Sequence, residues 1–354
     1  MRAVFLPGGR AAVVREVDIP RPGAGEVLIA MRAAGLCGSD LHMHYRPSPE
    51  QRRGSIFGMV TNPDIVPGHE PAGLVADVGE DIHYLTVGQR VAVHHMSGCG
   101  HCMQCRRGWD INCQQKNGIY GLDRPGAMQD FMVARERDCV IIPDRVTFAE
   151  AAYFTCGAGT GYLALKRAGL ALGDSVAVVG LGPVGIAAAF FAKSAGARVV
   201  GIDPMLIRRE FAQGIGITAV DASEETTLER ARSALADSGA NVVIESSGSS
   251  RGRALALDLA ALNGRVVCVG FGDAENIIDV QAQIIQKQLD VRGAWMFPLP
   301  DLQDMLDDVS HSRVSIEPLI GQSYSISDAQ AAWKSFDDGA AGKIVIEWRD
   351  EQRG

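Results

Sequence analysis

The stretch that most constrains this chain runs from 176 to 203, VAVVGLGPVGIAAAFFAKSAGARVVGID. Residues 176–179 are continuously apolar rather than alternating, the pattern of a strand buried on both faces of a parallel sheet. Gly180, Gly182 and Gly185 follow in the spacing G-x-G-x-x-G, with Pro183 and Val184 between the last two. A helix rich in Ala and Phe is predicted over 183–195, then a second apolar strand over 198–202 that ends at Asp203. Each glycine has its own mechanical reason. Gly180 permits a tight turn, Gly182 lets backbone approach a pyrophosphate, and Gly185 lets the helix pack closely on the strand. Amides at the helix start then face the phosphates, with the positive end of the helix dipole behind them. Asp203, about 20 residues past the glycines, is placed to accept hydrogen bonds from adenine-ribose hydroxyls. A 2′-phosphate there would meet like charge, which favours NAD over NADP, while Arg208 and Arg209 nearby work against that preference. The glycine spacing alone also occurs in plain βαβ turns without a ligand. Strand, glycines, helix, strand and acid in this order point to a dinucleotide site.

At 354 residues the chain has room for two domains and a large core. Its 47% apolar and 21% charged residues are the balance of a soluble globular protein. A net charge of −8 argues against a nucleic-acid partner or an anionic membrane surface. The longest apolar run, 176–192, is shorter than the about 20 residues a membrane span needs and is broken by glycines. The first residues read as the start of a hairpin rather than as an export signal, so a cytoplasmic enzyme is expected. Eight cysteines then point to metal or catalysis rather than to disulfides.

Up to residue 154, short β-type runs at 11–17, 26–34, 72–78, 90–95 and 129–134 lie among frequent Gly and Pro. They predict an all-β, barrel-like unit. Residues 46–64 read as a polar surface loop. From 149 the character changes: 149–169 reads as one helix, and strands are expected at 175–179, 199–203, 241–245, 265–270 and 290–294. Helices over 228–236 and 254–262 fall between them, and this alternation implies a doubly wound parallel sheet. The tail reads as helix 299–310, helix 327–338 and strand 343–348, and is expected to rejoin the first unit. The division so expected is 1–155 with 297–354, and 156–296.

Cys99, Cys102, Cys105 and Cys113 have the spacing C-x2-C-x2-C-x7-C within a loop over 97–114. Four thiolates in so short a loop suit one tetrahedral structural zinc. An iron–sulfur run is the competitor, but its fourth cysteine usually lies nearer and precedes a proline. His101 is surplus to four sulfurs and is expected to be exposed. A second set is dispersed: Cys37 in GLCGSDLH, His69 and Glu70 in PGHEPAG, and Cys156 in FTCGAGTG. Singly, a buried Cys or His is more often packing than a ligand. Each of these, however, sits in a Gly-rich, sharply turning stretch unsuited to plain packing. Three such ligands with an open fourth position make a catalytic zinc.

Together GLCGSDLH, PGHE with its following glycine, the four-cysteine loop, GLGPVG and the terminal GKIVIEW resemble the zinc-dependent medium-chain alcohol/polyol dehydrogenase family. The similarity runs in order over nearly the whole chain. It implies an α/β protein with a GroES-like β-barrel catalytic domain, completed by the carboxy-terminal segment, around an inserted Rossmann domain. It also implies that Cys37, His69 and Cys156 hold the catalytic zinc, that Glu70 approaches or replaces its water, and that Asp40 orients His69. By the same matching Ser39 and His42 form a proton relay, and Thr160, Val269 and Gly270 line the nicotinamide side. The resemblance implies two zinc ions per chain, NAD, a small-molecule alcohol or polyol substrate, and a homodimer or homotetramer. The apolar segments 284–285 and 291–297 are candidates for its pairing edge, or for core. Polyol-type members often carry glutamate where this chain has Cys156, whereas CGSDLH and loop 46–64 look as much like the sugar-alcohol enzymes. The expected function is hydride transfer between a secondary alcohol, polyol or sugar acid and NAD. The competitors are a zinc-free NADPH quinone or enone reductase of the same fold and a non-enzymatic zinc- and nucleotide-binding protein. Cys37, His69, the cysteine loop and Asp203 speak against the reductase.

Overall fold

The computed structural model describes residues 1–348 apart from 52–54, 57–58, 61, 63, 116–117, 236–238, 274 and 313. The chain divides into two units, Met1–Cys156 with Phe297–Gly354, and Gly157–Met296.

In the first unit the strand Glu26–Gly35 is the hub. Its early residues pair antiparallel with Phe131–Arg135, most of its length with Pro71–Val78, and its end with Lys343–Glu347. The sheet continues through Arg90–Val93 to Cys139–Ile141 on one side and to Ile320–Tyr324 on the other. Val27, Ile29 and Met31 alternate onto one face and are buried with Val75, Val91 and Met132, the period of two that a half-buried strand requires. The expected run 90–95 is a strand only to Val93, because the amide of His94 leaves the ladder and donates to the Asp138 carbonyl at 2.8 Å. Within 46–64 the described residues include a short hairpin, Ser55–Ile56 with Met59–Val60. The remainder of that loop lies partly outside the described residues. The strand Ile320–Tyr324, sequence IGQSY, has no apolar alternation to announce it.

The second unit is a six-stranded, all-parallel sheet. Its order is Thr218–Asp221, Arg198–Asp203, Ser175–Val179, Ala240–Glu245, Ala260–Cys268, Asp290–Gly293. The chain therefore starts in the middle, winds outward, then returns to wind the other way from Ser175–Val179. That reversal between Ser175–Val179 and Ala240–Glu245 is where sheets of this kind bind ligand at the carboxyl ends of their strands. The single helix expected over 149–169 is two, Phe148–Phe154 and Gly157–Ala168. The Thr155 hydroxyl donates to the Ala152 carbonyl at 2.7 Å, competing with the helical ladder. Glycines at 157, 159 and 161 lie in the first turns of the second helix and lower its propensity there. The helix expected over 254–262 runs instead over Ser250–Leu259, because a strand begins at Ala260 and not at 265. Asp290–Gly293 is an exposed edge strand, whereas Phe297 is fully buried in the first unit. Among the described residues no helix is long and apolar enough to cross a membrane.

Candidate metal centres and nucleotide site

The register of the first unit's sheet builds one donor cluster. Ala34 pairs with Pro71 and Gly35 with Val345, so residues just beyond these strand ends, Cys37 and His69 with Glu70, converge with Lys343, the first residue of its strand. Cys156 enters from the break between the two helices. One ligand atom from each of Cys37, His69, Glu70 and Cys156 lies within 4.8 Å of the others. The Cys37 and Cys156 sulfurs are 3.8 Å apart. Ser39 Oγ lies 3.4 Å from both Cys37 Sγ and His69 Nε2. His69 Nδ1–H donates to the buried Asp40 carboxylate at 3.2 Å, which fixes the tautomer and leaves the Nε2 lone pair, faced by Ser39 Oγ, as the atom that would ligate a metal.

Electrostatics follow from burial. The proton shared with Cys156 holds the Cys37 thiol well below its ordinary value, and Cys156 correspondingly rises. Burial alone would push His69 down, but Asp40 and Cys37 outweigh it and raise it. Burial lifts Glu70 to about 8 against the pull of Lys343. The two close sulfurs, an oriented imidazole and a carboxylate form a mixed soft and borderline donor set that fits zinc, with Glu70 drawn aside by Lys343. Lys343 Nζ lies 2.6 Å from Glu70 Oε1 and 2.5 Å from Oε2, and donates to the Leu36 carbonyl at 2.6 Å. A Cβ on Gly35 would sit 2.1 Å from Glu70 Oε2, so only glycine leaves room for this pair. Sequence reasoning missed Lys343; a charged residue opening the apolar run KIVIE was the available signal. It also missed His95, which is buried with its ring edge-to-face on His69, centroids 4.7 Å apart. Burial holds His95 well below its ordinary value. His42 is exposed, and partial desolvation with the Arg46 charge lowers it.

The four-cysteine loop forms the second cluster. The Cys99, Cys102, Cys105 and Cys113 sulfurs again lie within 4.8 Å of one another. Amides of Cys99 and Gln115 donate to Cys113 Sγ at 3.3 and 3.4 Å, and the Cys102 amide to Cys99 Sγ at 3.2 Å. Backbone amides pull Cys102 down to about 6, whereas burial raises Cys105 to about 12. Four sulfurs solvated by amides suit a closed tetrahedral ion. His101 is exposed, as the ligand count implies.

In the second unit Gly180 has φ +92°, and a Cβ there would lie 2.8 Å from the Ser247 amide. At Gly185 an added Cβ would meet the Gly180 carbonyl at 1.8 Å. Gly182 differs: it caps the helix Pro183–Ser194 in extended conformation, and its Cβ would meet only Arg208 Nη1, 4.0 Å away. Space therefore opens in front of the helix start, and Pro183 and Val184 form that first turn. Asp203 is buried at the strand end; its carboxylate accepts from the amides of Leu181 and Met205, both at 2.8 Å, with Arg208 3.5 Å away. Arg209 is committed elsewhere, to the Asp203 carbonyl and Asp221. Thr160 is buried on the helix Gly157–Ala168. Val269 and Gly270 follow the strand Ala260–Cys268 with their amides on the Glu245 carbonyl.

A doubly wound parallel sheet with its glycine turn, a thiolate–imidazole donor set and a second all-cysteine cluster define a metal-dependent, nucleotide-linked oxidoreductase as the class. Residues 23–144 match the family model described as "Alcohol dehydrogenase GroES-like domain", and 183–311 the one described as "Zinc-binding dehydrogenase". The chain is 34% identical over 362 residues, 99% of each chain, to the "Uncharacterized zinc-type alcohol dehydrogenase-like protein YphC" of Escherichia coli (strain K12). It is 29% identical to the L-threonine 3-dehydrogenase of Deinococcus deserti, over 98% of this chain and 99% of the relative. Among solved structures, alcohol dehydrogenase TADH from Thermus sp. ATN1 superposes with a TM-score of 0.88 at 29% identity, over 99% of this chain and all of the other. The chain belongs to the zinc-dependent medium-chain alcohol dehydrogenase family. It is a zinc- and NAD-linked oxidoreductase of small-molecule alcohols.

Proposed function

We propose that this chain oxidises a secondary alcohol or polyol to the ketone, with Cys37, His69 and Cys156 as ligands of a catalytic zinc. The observation that carries the reading is the convergence of those three donor atoms with Glu70 inside one buried cluster. When bound, zinc supplies the positive charge that makes an alcohol hydroxyl acidic at neutral pH, and NAD supplies the hydride acceptor. The protein's part is then orientation and proton movement. Asp40 holds His69 by Nδ1, so that its Nε2 lone pair faces the cluster. Lys343 pairs with the buried Glu70 carboxylate, which would supply a fourth, oxygen donor beside Cys37, His69 and Cys156. Ser39 Oγ, already beside Cys37 and His69, takes the proton from the substrate hydroxyl. Ser39 would give up its own proton in exchange, by way of the ribose hydroxyl of the bound nucleotide, to His42, which is exposed, lowered below its ordinary value and able to release it to solvent. Cys99, Cys102, Cys105 and Cys113 hold a structural zinc.

The nucleotide reading assigns Gly180, Gly182, Pro183, Val184 and Gly185 to the pyrophosphate, Asp203 and Arg208 to the adenine ribose, and Thr160, Val269 and Gly270 to the nicotinamide. Catalytic domain 1–155 with 297–354, including the metal loop 97–114, and nucleotide domain 156–296 are the division this implies. The enzyme works in the cytoplasm as a dimer or tetramer. The exposed edge strand Asp290–Gly293 and the exposed Ile285 support pairing there, and sedimentation velocity checks it.

The test is NADH formation across secondary alcohols, polyols, sugar acids and β-hydroxy amino acids. Activity that disappears on chelation and returns with zinc is expected. A protein holding two zinc ions and NAD that reduces no NAD with any of them would overturn the reading.

A further inference from the structure

The strand Ala240–Glu245 ends on a glutamate that is fully buried at the carboxyl edge of the second unit's sheet. Its carboxylate is committed to the turn that follows. Oε1 accepts the Ser247 amide at 2.8 Å, the Gly248 amide at 3.0 Å and the Ser247 hydroxyl at 2.5 Å. The Glu245 carbonyl accepts the amides of Val269 at 2.8 Å and Gly270 at 3.1 Å. One residue therefore splints two loops, the turn 246–249 and the segment 269–273. Oε2 has no hydrogen-bond partner among the described residues, and Arg253 Nε stands 4.0 Å from it. Arg253 donates to the carbonyls of Asp273 at 2.7 Å and Gly270 at 3.3 Å, which ties the second loop down beside the carboxylate. A buried carboxylate with one oxygen left bare is destabilising, and filling space at this position would not require it.

On its other side the same turn meets the glycine turn. The Ser246 hydroxyl donates to the Gly180 carbonyl at 2.8 Å, and its amide to the Val179 carbonyl at 2.9 Å. These contacts exclude side chains: a Cβ on Gly180 would lie 2.8 Å from the Ser247 amide, and one on Gly270 2.2 Å from the Gly248 amide. The turn 246–249 is thus a backbone spacer between Gly180 and Gly270, and Glu245 holds its shape. We infer that Glu245, with Arg253, is a positioning residue for the dinucleotide: it fixes the separation between the turn assigned to the pyrophosphate and the loop assigned to the nicotinamide, acting through the loops rather than on the ligand. This rests on the nucleotide assignments above. Asp203 ends the strand Arg198–Asp203, which lies across Ser175–Val179 from Glu245, so the adenine half of the ligand is held independently of this splint.

The test sets NADH against AMP, which carries the adenine half alone, in the zinc-loaded wild-type protein, Glu245→Ala, Glu245→Gln and Arg253→Met. Equilibrium titration gives the affinities, and the emission of bound NADH reports how its nicotinamide is held. Glu245→Ala is expected to weaken NADH by about tenfold to a hundredfold, because binding must then also order the two loops. The blue shift and enhancement of NADH emission should be lost with it, while the affinity for AMP is unchanged. Glu245→Gln regains most of the NADH affinity, since an amide oxygen still accepts the Ser247 and Gly248 amides. Arg253→Met frees only the second loop and is expected to fall between wild type and Glu245→Ala on NADH; it carries the test if Glu245→Ala fails to fold. NADH and AMP weakened by the same factor, NADH binding and emission unmoved in Arg253→Met, or a glutamine variant no better than alanine would each overturn the inference while the nucleotide assignments stand. A wild-type protein that binds neither NADH nor AMP would remove those assignments and the inference together.

Discussion

At the scale of single residues, the chemistry depends on atoms whose neighbours leave them few choices. Cys37 sits with one sulfur 3.8 Å from another and a serine hydroxyl 3.4 Å away, so an oxygen in its place binds zinc with a weaker, harder donor. Cys37→Ser is expected to abolish turnover, to lower the zinc content from two ions per chain to one, and to leave NADH binding unchanged by fluorescence titration. Normal activity in that variant would end the catalytic-zinc assignment. Asp203 poses a different question, because both its oxygens already accept backbone amides. An ionised carboxylate keeps lone pairs beyond those two bonds, so it can still receive ribose hydroxyls and still repel a 2′-phosphate. Asp203→Gly is expected to raise KM for NAD at least tenfold and to admit NADP, with Arg208 then free to meet the phosphate. An unchanged ratio of kcat/KM for NAD over NADP would count against the ribose role.

At the scale of elements, loops are fixed by side chains that stand in for missing ladder partners. The Glu136 carboxylate accepts the amides of His83, Tyr84 and Leu85 at 2.7 to 3.0 Å and so pins the turn before Arg90–Val93. Burial alone would raise Glu136, but the amide donors outweigh it and hold it below the ordinary carboxylate range. A depressed folded value means stability that is fully present above about pH 4.3, the unfolded value, and is lost as pH falls through the folded one. Glu136→Ala is expected to cost about 2 kcal/mol at pH 7 by leaving these amides without their acceptor. The gap to wild type in urea melts should narrow as pH drops below about 4. A gap of constant size down to pH 3 would show that the charge on Glu136 contributes nothing. The same reasoning explains why 149–169 fails to be one helix. A threonine hydroxyl that donates back to the Ala152 carbonyl ends the first helix at Phe154, one turn before the second begins at Gly157, where Cys156 has to turn inward.

For the whole molecule, the two donor clusters separate stability from turnover. The four-cysteine loop lies apart in sequence from Cys37, His69 and Cys156, and no residue belongs to both clusters. Cys102→Ser is expected to lower Tm by several degrees and to remove one zinc, while the remaining protein keeps its KM for alcohol. Two zinc ions per chain in that variant would refute the structural site. A folded metal loop contributes through the binding free energy of its ion, so chelation should reproduce the loss of Tm in the wild type.

Much of this was legible in the order of residues. A continuous apolar strand, three glycines at fixed offsets and an acid at the next strand's end specify a βαβ turn because each glycine answers a steric demand that the sequence itself displays. Four cysteines within one short loop likewise need no distant partner to be recognised. Cys37, His69 and Cys156 could be matched as motifs, but nothing local brings them together; that is the work of the sheet register, which sets Ala34 against Pro71 and Gly35 against Val345. Lys343 and His95 were invisible for the same reason. Their roles come from what burial places against them, the carboxylate of Glu70 and the ring of His69, and neighbours distant in the chain exist only once the chain has folded.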